Sequence, residues 1–442
     1  MSSGLNEQAL ENLYNRVTGD EDARVCKDIP EAACADQPRN FFAYLTANLL
    51  GKIADEIASA KLVIPWVLSA LNVPVAFTGF LVPIREAGVL LPQLLVAAAV
   101  RSLPQRKSVW LLGAVLSALS LLGMAIATLT LEGSAAGMAF IAMLIVFSLS
   151  RGLCSVSAKD VLGKTVSKSR RGRLMGWSGS LSGLAILAIG ILLSVIDLSG
   201  LGLKVFAGLL LLGALLWLLA TLSFASIIEQ PGATEGGGNA ISAALQQLGL
   251  LWTDRPFRQF VIARGLLLSV ALAPPFYVLI AQASAGSGLL GLGALIIANG
   301  LASSLSAPFW GYWGDSSSRR VMAVATAGAG LLGIFTWLAV SRDWNWATGE
   351  IGLAVIFMLL NIMHGGARLG RKIYLVDMAG NDNRAAYVAV SNTVIGGLML
   401  VGGLIGVLGQ WFGAESIVLL LGLLALFAAW YVRRLPEISE PS

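Results

Sequence analysis

The sequence predicts an all-α integral membrane protein with twelve transmembrane helices arranged as two six-helix bundles. Of its 442 residues, 56% are hydrophobic and only 12% are charged, whereas soluble domains carry about a quarter charged residues. The apolar stretches recur at about the 20 residues that a helix needs to cross the hydrocarbon core. This length and this composition together indicate a polytopic helical membrane protein.

Twelve apolar stretches follow one another along the chain. The predicted spans cover 44–71, 76–100, 108–130, 137–160, 174–196, 204–227, 258–281, 287–311, 321–341, 350–374, 385–409 and 414–433. They separate an N-terminal tail (1–41), a first bundle (42–228), a linker (229–256), a second bundle (257–434) and a C-terminal tail (435–442). The linker is rich in Pro, Gly and Ala, as flexible connections are. It therefore divides the spans six and six.

The loops predict how the chain is oriented in the membrane. Basic residues concentrate after the even-numbered spans, as in Lys164–Arg173 and Arg371–Lys372. The positive-inside rule then places these loops and both termini in the cytoplasm, with the chain in the plasma (inner) membrane. The net charge of +5 is accordingly interpreted as an orientation signal, with no nucleic-acid partner. We expect no disulfide in the cytoplasmic tail, which carries Cys26 and Cys34.

The two halves of the sequence are related by a weak repeat. At a constant offset, Arg319 and Arg320 fall on Arg106 and Lys107, and His364 falls on Arg151. Such a repeat is typical of transporters that rock two parallel halves around a central site.

The loop after the eighth span carries the most specific motif. Its residues Gly311, Gly314 and Asp315, followed by Arg319 and Arg320, resemble the G-x-x-x-D-x-x-x-R-R/K signature of the major facilitator superfamily. The resemblance implies the major facilitator fold, transport of a small solute by alternating access, and a cytoplasmic gate in which Asp and Arg form a charge relay.

The resemblance has gaps that bear on the mechanism. The loop after the second span keeps the basic pair Arg106 and Lys107 but lacks the glycine and aspartate, so the gate is expected to be asymmetric. Arg151 lies where many proton-coupled members carry an arginine. The fifth span has no Gly-Pro pair, so the family's antiporter signature is missing and the direction of transport stays open.

Charged residues inside the first two spans give the functional hypothesis. Such residues are costly in a bilayer and usually face a partner or a water-filled cavity. Burial raises the proton affinity of a carboxylate and a nearby cation lowers it, so movement of Arg85 or Lys61 would switch proton binding. We predict proton coupling by Asp55 and Glu86, with Glu56 in reserve.

An excess of basic groups at membrane depth favours an anionic or zwitterionic solute, since guanidinium forks match carboxylates and phosphates. The predicted substrate-binding residues are Lys61, Arg85, Arg151, Asn299, Asn361 and His364. The structural alternatives stay open. Lys52 could pair with Asp55 or Glu56 one turn away, Arg85 could pair with an acid of the first span as structural glue, and Arg368 could extend to the membrane surface.

Other functions are less well supported by the sequence. The chain has one histidine and no metal-protease, hydrolase or nucleotide-binding motif, so we expect no enzyme activity and no cofactor. The expected partners are the solute, protons and membrane lipid, with the monomer as functional unit. The alternatives are a proton-driven exporter of multiple drugs or other organic compounds, and a transporter-derived sensor or scaffold without net transport.

Overall fold

The computed structural model describes residues 11, 14, 29, 31–91, 103–195, 202–231, 248–285, 289–314, 317–379 and 384–438. We number the membrane helices as spans 1 to 12. In the first half they are Gln37–Ile57 with Val63–Ala70 (span 1), Val75–Leu90 (2), Lys107–Thr130 (3), Gly133–Thr165 (4), Lys168–Val195 (5) and Leu203–Ala225 (6). In the second half they are Arg255–Leu266 with Leu268–Leu272 and Pro274–Ala285 (7), Leu289–Gly314 (8), Ser318–Ser341 (9), Glu350–Met378 (10), Arg384–Gly402 with Ile405–Phe412 (11) and Ala414–Arg433 (12). Short helices cover Glu31–Ala35, Leu250–Thr253 and Asn345–Thr348.

Every predicted span corresponds to a helix or a broken helix. Ten of the described helices, in spans 3 to 12, are long and apolar enough to cross a membrane. Spans 1 and 2 fall outside this set. Span 1 is interrupted over residues 58–62, and the predicted end of span 2, residues 92–100, lies outside the described residues. These two spans carry the charged residues Asp55, Glu56, Lys61, Arg85 and Glu86.

Helix packing repeats between the halves at an offset of six spans. Span 3 packs against spans 4 and 6, and span 9 packs in the same way against spans 10 and 12. Between the halves, span 5 packs on span 8 and span 2 packs on span 11. An offset of six spans converts one of these two contacts into the other. The structure therefore has the two-bundle architecture that the sequence predicts.

The halves are in close contact at the end opposite the basic loops, which we call the outer end. Near the start of span 2, Gly79 lies against the backbone of Gly406 in span 11, and a Cβ atom on either would overlap the other. Nearby, Gln282 of span 7 donates a hydrogen bond of 3.3 Å to the carbonyl of Trp66 in span 1. The outer end is therefore closed.

The expectation of no disulfide in the N-terminal region is wrong. Cys34, in the short helix before span 1, is disulfide-bonded, and Cys154 in span 4 is a buried free thiol. The sequence argument rested on the predicted cytoplasmic location of the tail, and compartment alone does not decide whether two thiols of the chain come together.

Candidate functional site

A cavity of about 600 Å³ lies between the two halves. Its wall includes the interrupted part of span 1 and one face each of spans 2, 8 and 10. It extends to Gly311 and Lys372, close to the ends of spans 8 and 10 that carry the basic loops. Because the outer end is closed, the cavity is reached from the basic end of the bundle.

The interruption of span 1 shapes this cavity. The first helix ends at Ile57 and the second begins at Val63, and residues 58–62 all line the cavity. Non-helical backbone at membrane depth is tolerated only where it is buried in protein or lines a water-filled space. The break therefore lies where the fold can accommodate it.

Asp55 is held in an ion triad with two arginines of the same half. Its Oδ2 atom accepts hydrogen bonds from Nε and Nη2 of Arg151 in span 4, at 3.1 and 2.8 Å. Its Oδ1 atom lies 3.7 Å from Nη2 of Arg85 in span 2. Each arginine also faces an aromatic ring, Arg85 that of Phe147 and Arg151 that of Trp217, with the guanidinium carbon 5.3 and 4.3 Å from the ring centroid. The triad therefore ties spans 1, 2 and 4 together.

The other two acids behave differently. Glu56 and Glu86 both line the cavity, and within the described residues neither has a cation within 4 Å. From the described residues, Glu56 accepts one long hydrogen bond, 3.4 Å, which Nδ2 of Asn299 donates across the cavity. Two carboxylates without ion pairs are thus available to a proton or a solute.

The opposite wall is cationic and is built on one face of span 10. Asn361, His364, Arg368 and Lys372 line the cavity and recur every three or four residues, the spacing of one helix face. Nε2 of His364 is 3.3 Å from Nζ of Lys61, a contact between the halves. The amide of Asn361 donates to the carbonyl of Phe357 in its own helix, at 2.9 Å.

Sequence reasoning missed two members of this wall. The sequence places Arg368 among the basic groups at membrane depth but also allows it to extend to the surface, and it indicates Lys372 only as an orientation signal. Both line the cavity with exposed side chains. The helical spacing from Asn361 to Lys372 is the signal that could have found them, because four polar residues on one helix face in a bundle point to a cavity.

The predicted gate residues of the first half bind a glutamate that the sequence did not single out. Glu229, four residues after span 6 ends, is fully buried at its side chain and lies 2.9 Å from Nζ of Lys164. Its carboxylate also accepts from the backbone amides of Arg106 (2.9 Å) and Lys107 (2.7 Å) at the start of span 3. A carboxylate suits this position because free amides and the helix dipole meet there.

The second half has an equivalent contact. Glu437, four residues after span 12 ends, lies 2.7 Å from Nη2 of Arg319 and accepts from the hydroxyl of Ser317 at 2.8 Å. Arg320 is exposed. Asp315, the acid of the predicted relay, lies outside the described residues, Gly311 lines the cavity, and Gly314 packs near Ile373.

Comparisons with known proteins agree with this architecture. Residues 265–442 match the family model described as Major Facilitator Superfamily. The fold is similar to a mutant of the nucleoside transporter NupG (TM-score 0.68, 12% identity, 89% of this chain and 99% of that one). It is also similar to a D-xylose-proton symporter (0.66, 14%, 91% and 99%) and to a POT family transporter in complex with a thioalcohol-conjugated peptide (0.67, 12%, 92% and 98%). No curated protein matches the sequence.

Proposed function

We propose that the chain belongs to the major facilitator superfamily, from its fold and from the family-model match over residues 265–442, and that it is a proton-coupled secondary active transporter of a small anionic or zwitterionic solute. The observation that carries the proposal is the charge distribution of the central cavity. The first half supplies Glu56 and Glu86, which have no ion pair among the described residues, and the second half supplies Arg368 and Lys372.

The cations of span 10 favour a carboxylate or a phosphate. Arg368 presents a planar fork of donors, which binds either group through two hydrogen bonds. Among the described residues, the second-half wall of the cavity carries no acid. An anionic group of the solute is therefore attracted to span 10, and a cationic group, where the solute has one, to Glu56 or Glu86.

The same two glutamates suit proton coupling. A desolvated carboxylate holds its proton more tightly, and an approaching cation releases it. Lys61 lies in contact with His364 across the cavity, so a movement of the halves would change its distance to the acids of its own half. We therefore assign proton binding to Glu56 and Glu86, and a structural role in the ion triad to Asp55. One of the structural neighbours is itself a proton symporter.

The cavity offers little to the alternative of a multidrug exporter. Among the described residues, its lining contains seven charged side chains, and Phe357 is its only Phe, Tyr or Trp residue. Sites for drug-like compounds are lined mostly by hydrophobic and aromatic side chains. A polar solute therefore fits this lining better than a lipophilic one.

The first experiment identifies the solute. A panel of carboxylates, phosphate esters, amino acids, sugars and nucleosides is tested for thermal stabilisation of the purified protein. A solute at 100 times its Kd stabilises the folded state by about 2.7 kcal/mol. We expect stabilisation by an anionic or zwitterionic member and its loss in Arg368→Gln, with Arg342→Gln, an exposed arginine at the outer end, as the matched control.

The second experiment tests coupling in proteoliposomes with an imposed proton gradient. Glu86→Gln and Glu56→Gln are expected to abolish gradient-driven accumulation of the identified solute while leaving solute exchange in the absence of a gradient. Glu132→Gln, an exposed acid outside the cavity, is expected to behave as wild type. Undiminished gradient-driven accumulation in the Glu56→Gln, Glu86→Gln double variant would contradict proton coupling by these residues.

A further inference from the structure

A second concave site lies on the outside of the second half, away from the central cavity. This groove has a volume of about 500 Å³ and is lined by Trp313 at the end of span 8, Arg319, Arg320 and Val324 at the start of span 9, and Arg433 at the end of span 12. None of its residues lines the central cavity. It lies at the basic end of the bundle, where the helices leave the membrane.

The groove carries positive charge that the described protein does not neutralise. Arg319 is paired with Glu437 at 2.7 Å. Arg320 and Arg433 are exposed and have no acid within 4 Å in the part of the chain that the structure describes. Two guanidinium groups facing one concave site match the oxygens of a phosphate in both charge and geometry.

An apolar surface continues from the arginines toward the membrane. Val324 and Leu331 are 40% and 60% exposed, and they follow Arg320 at four and eleven residues, which places all three on one face of span 9. Trp313, 45% exposed, flanks the charged part, at the level where tryptophan is enriched in membrane proteins. A free phosphate would use only the arginines, whereas a phospholipid would use both surfaces.

We propose that this groove binds an anionic phospholipid, with the phosphodiester between Arg320 and Arg433 and an acyl chain along Val324 and Leu331. The predicted orientation agrees with this assignment, because the basic end faces the cytoplasmic leaflet by the positive-inside rule and anionic lipids attract basic groups there. The site is independent of the transported solute.

The test measures binding of phosphatidylglycerol to the purified full-length protein by native mass spectrometry, with phosphatidylethanolamine as the zwitterionic comparison. Arg320→Gln with Arg433→Gln is expected to weaken phosphatidylglycerol binding about 25-fold, from about fivefold per basic residue near the membrane surface. Arg258→Gln, an exposed arginine of span 7 at the same end, is the matched control and is expected to bind as wild type.

Two further measurements separate the explanations. Arg320→Lys with Arg433→Lys keeps the charge and is expected to bind within about fivefold of wild type, since each lysine retains the attraction to the lipid phosphate. If the double glutamine variant does not fold, Arg433→Gln alone is tested, and it is expected to weaken phosphatidylglycerol binding about fivefold. Wild-type phosphatidylglycerol binding by the double glutamine variant would overturn the proposal. Displacement of the lipid by inorganic phosphate at equal concentration would overturn it too, by assigning the groove to a free anion.

Discussion

Replacement of Asp55 by asparagine tests whether this acid is a structural partner of Arg85 and Arg151. The substitution replaces the carboxylate that accepts two hydrogen bonds from a charged donor, each worth about 1.5–3 kcal/mol, by a neutral amide, and it leaves the two arginines without their shared acid. The three side chains are only 21%, 21% and 19% exposed, so screening is incomplete. At an effective dielectric of about 20, charges 4 Å apart interact by about 4 kcal/mol.

These magnitudes predict that Asp55→Asn lowers the free energy of unfolding by about 3 kcal/mol, within the range for breaking a buried ion pair. The asparagine oxygen still accepts a hydrogen bond, which holds the loss below the sum of the separate contributions. A double-mutant cycle with Arg151→Gln is expected to give a coupling energy of about 2 kcal/mol, as for residues in direct contact.

The assay is reversible denaturant unfolding of the purified protein in mild detergent. Glu56→Gln is the matched control, because Glu56 is the next residue of the same helix and has no ion pair among the described residues. It is expected to change the free energy of unfolding by less than about 1 kcal/mol. Equal effects of Asp55→Asn and Glu56→Gln, or a coupling energy near zero, would refute the ion triad as a stabilising unit.

Two further predictions concern the ends of the bundle. Glu229→Gln is expected to cost about 2–4 kcal/mol of unfolding free energy, because the carboxylate is fully buried against Lys164; Glu437→Gln is expected to cost less than about 1 kcal/mol, because that carboxylate is 35% exposed. Gly79→Ala is expected to separate the halves at the outer end. The measurement is the distance between spin labels placed on the two halves at that end, which is expected to increase. Gly397→Ala, with open space at its Cβ position, is expected to leave that distance unchanged.

Each of these predictions has a clear contrary result. Equal losses for the two glutamates would show that burial does not set the strength of the two contacts. An unchanged spin-label distance in Gly79→Ala would show that the close approach of spans 2 and 11 at Gly406 is not what holds the outer end closed.

The sequence predicted the fold well because membrane helices are specified by a local property. A run of about 20 apolar residues is sufficient to identify a span, and each predicted span corresponds to a helix of the structure. The interruption of span 1 could not be read in this way. Residues 58–62 contain neither proline nor glycine, but Pro65 lies in the first turn of the helix that follows. A proline cannot donate to the carbonyl four residues earlier, here that of Lys61, and its ring clashes with it, so the break has a local signal that the apolar pattern does not contain.

The charged residues show where a single sequence stops being informative. The structural alternative for Arg85, pairing with an acid of span 1, is confirmed by its contact with Asp55. The pairing of Lys52 with Asp55 or Glu56 is wrong, since Lys52 forms no ion pair among the described residues. Arg151 could not be assigned to Asp55 beforehand, because residues 96 positions apart come together only through helix packing.

The interruption in span 1 also gives the two parts of this helix different neighbours. The first part, Gln37–Ile57, packs on spans 5 and 6 of its own half, whereas the second part, Val63–Ala70, packs on spans 2 and 6 of its own half and on Pro274–Ala285 of the other half. Hinges are commonly a few residues at the ends of elements, where changes in φ and ψ break few hydrogen bonds. Residues 58–62 lie at such a position and are a joint at which span 1 is expected to bend. Since Lys61 is within this joint, bending it displaces a charge of the cavity wall, which links the geometry of the backbone to the electrostatics of the site.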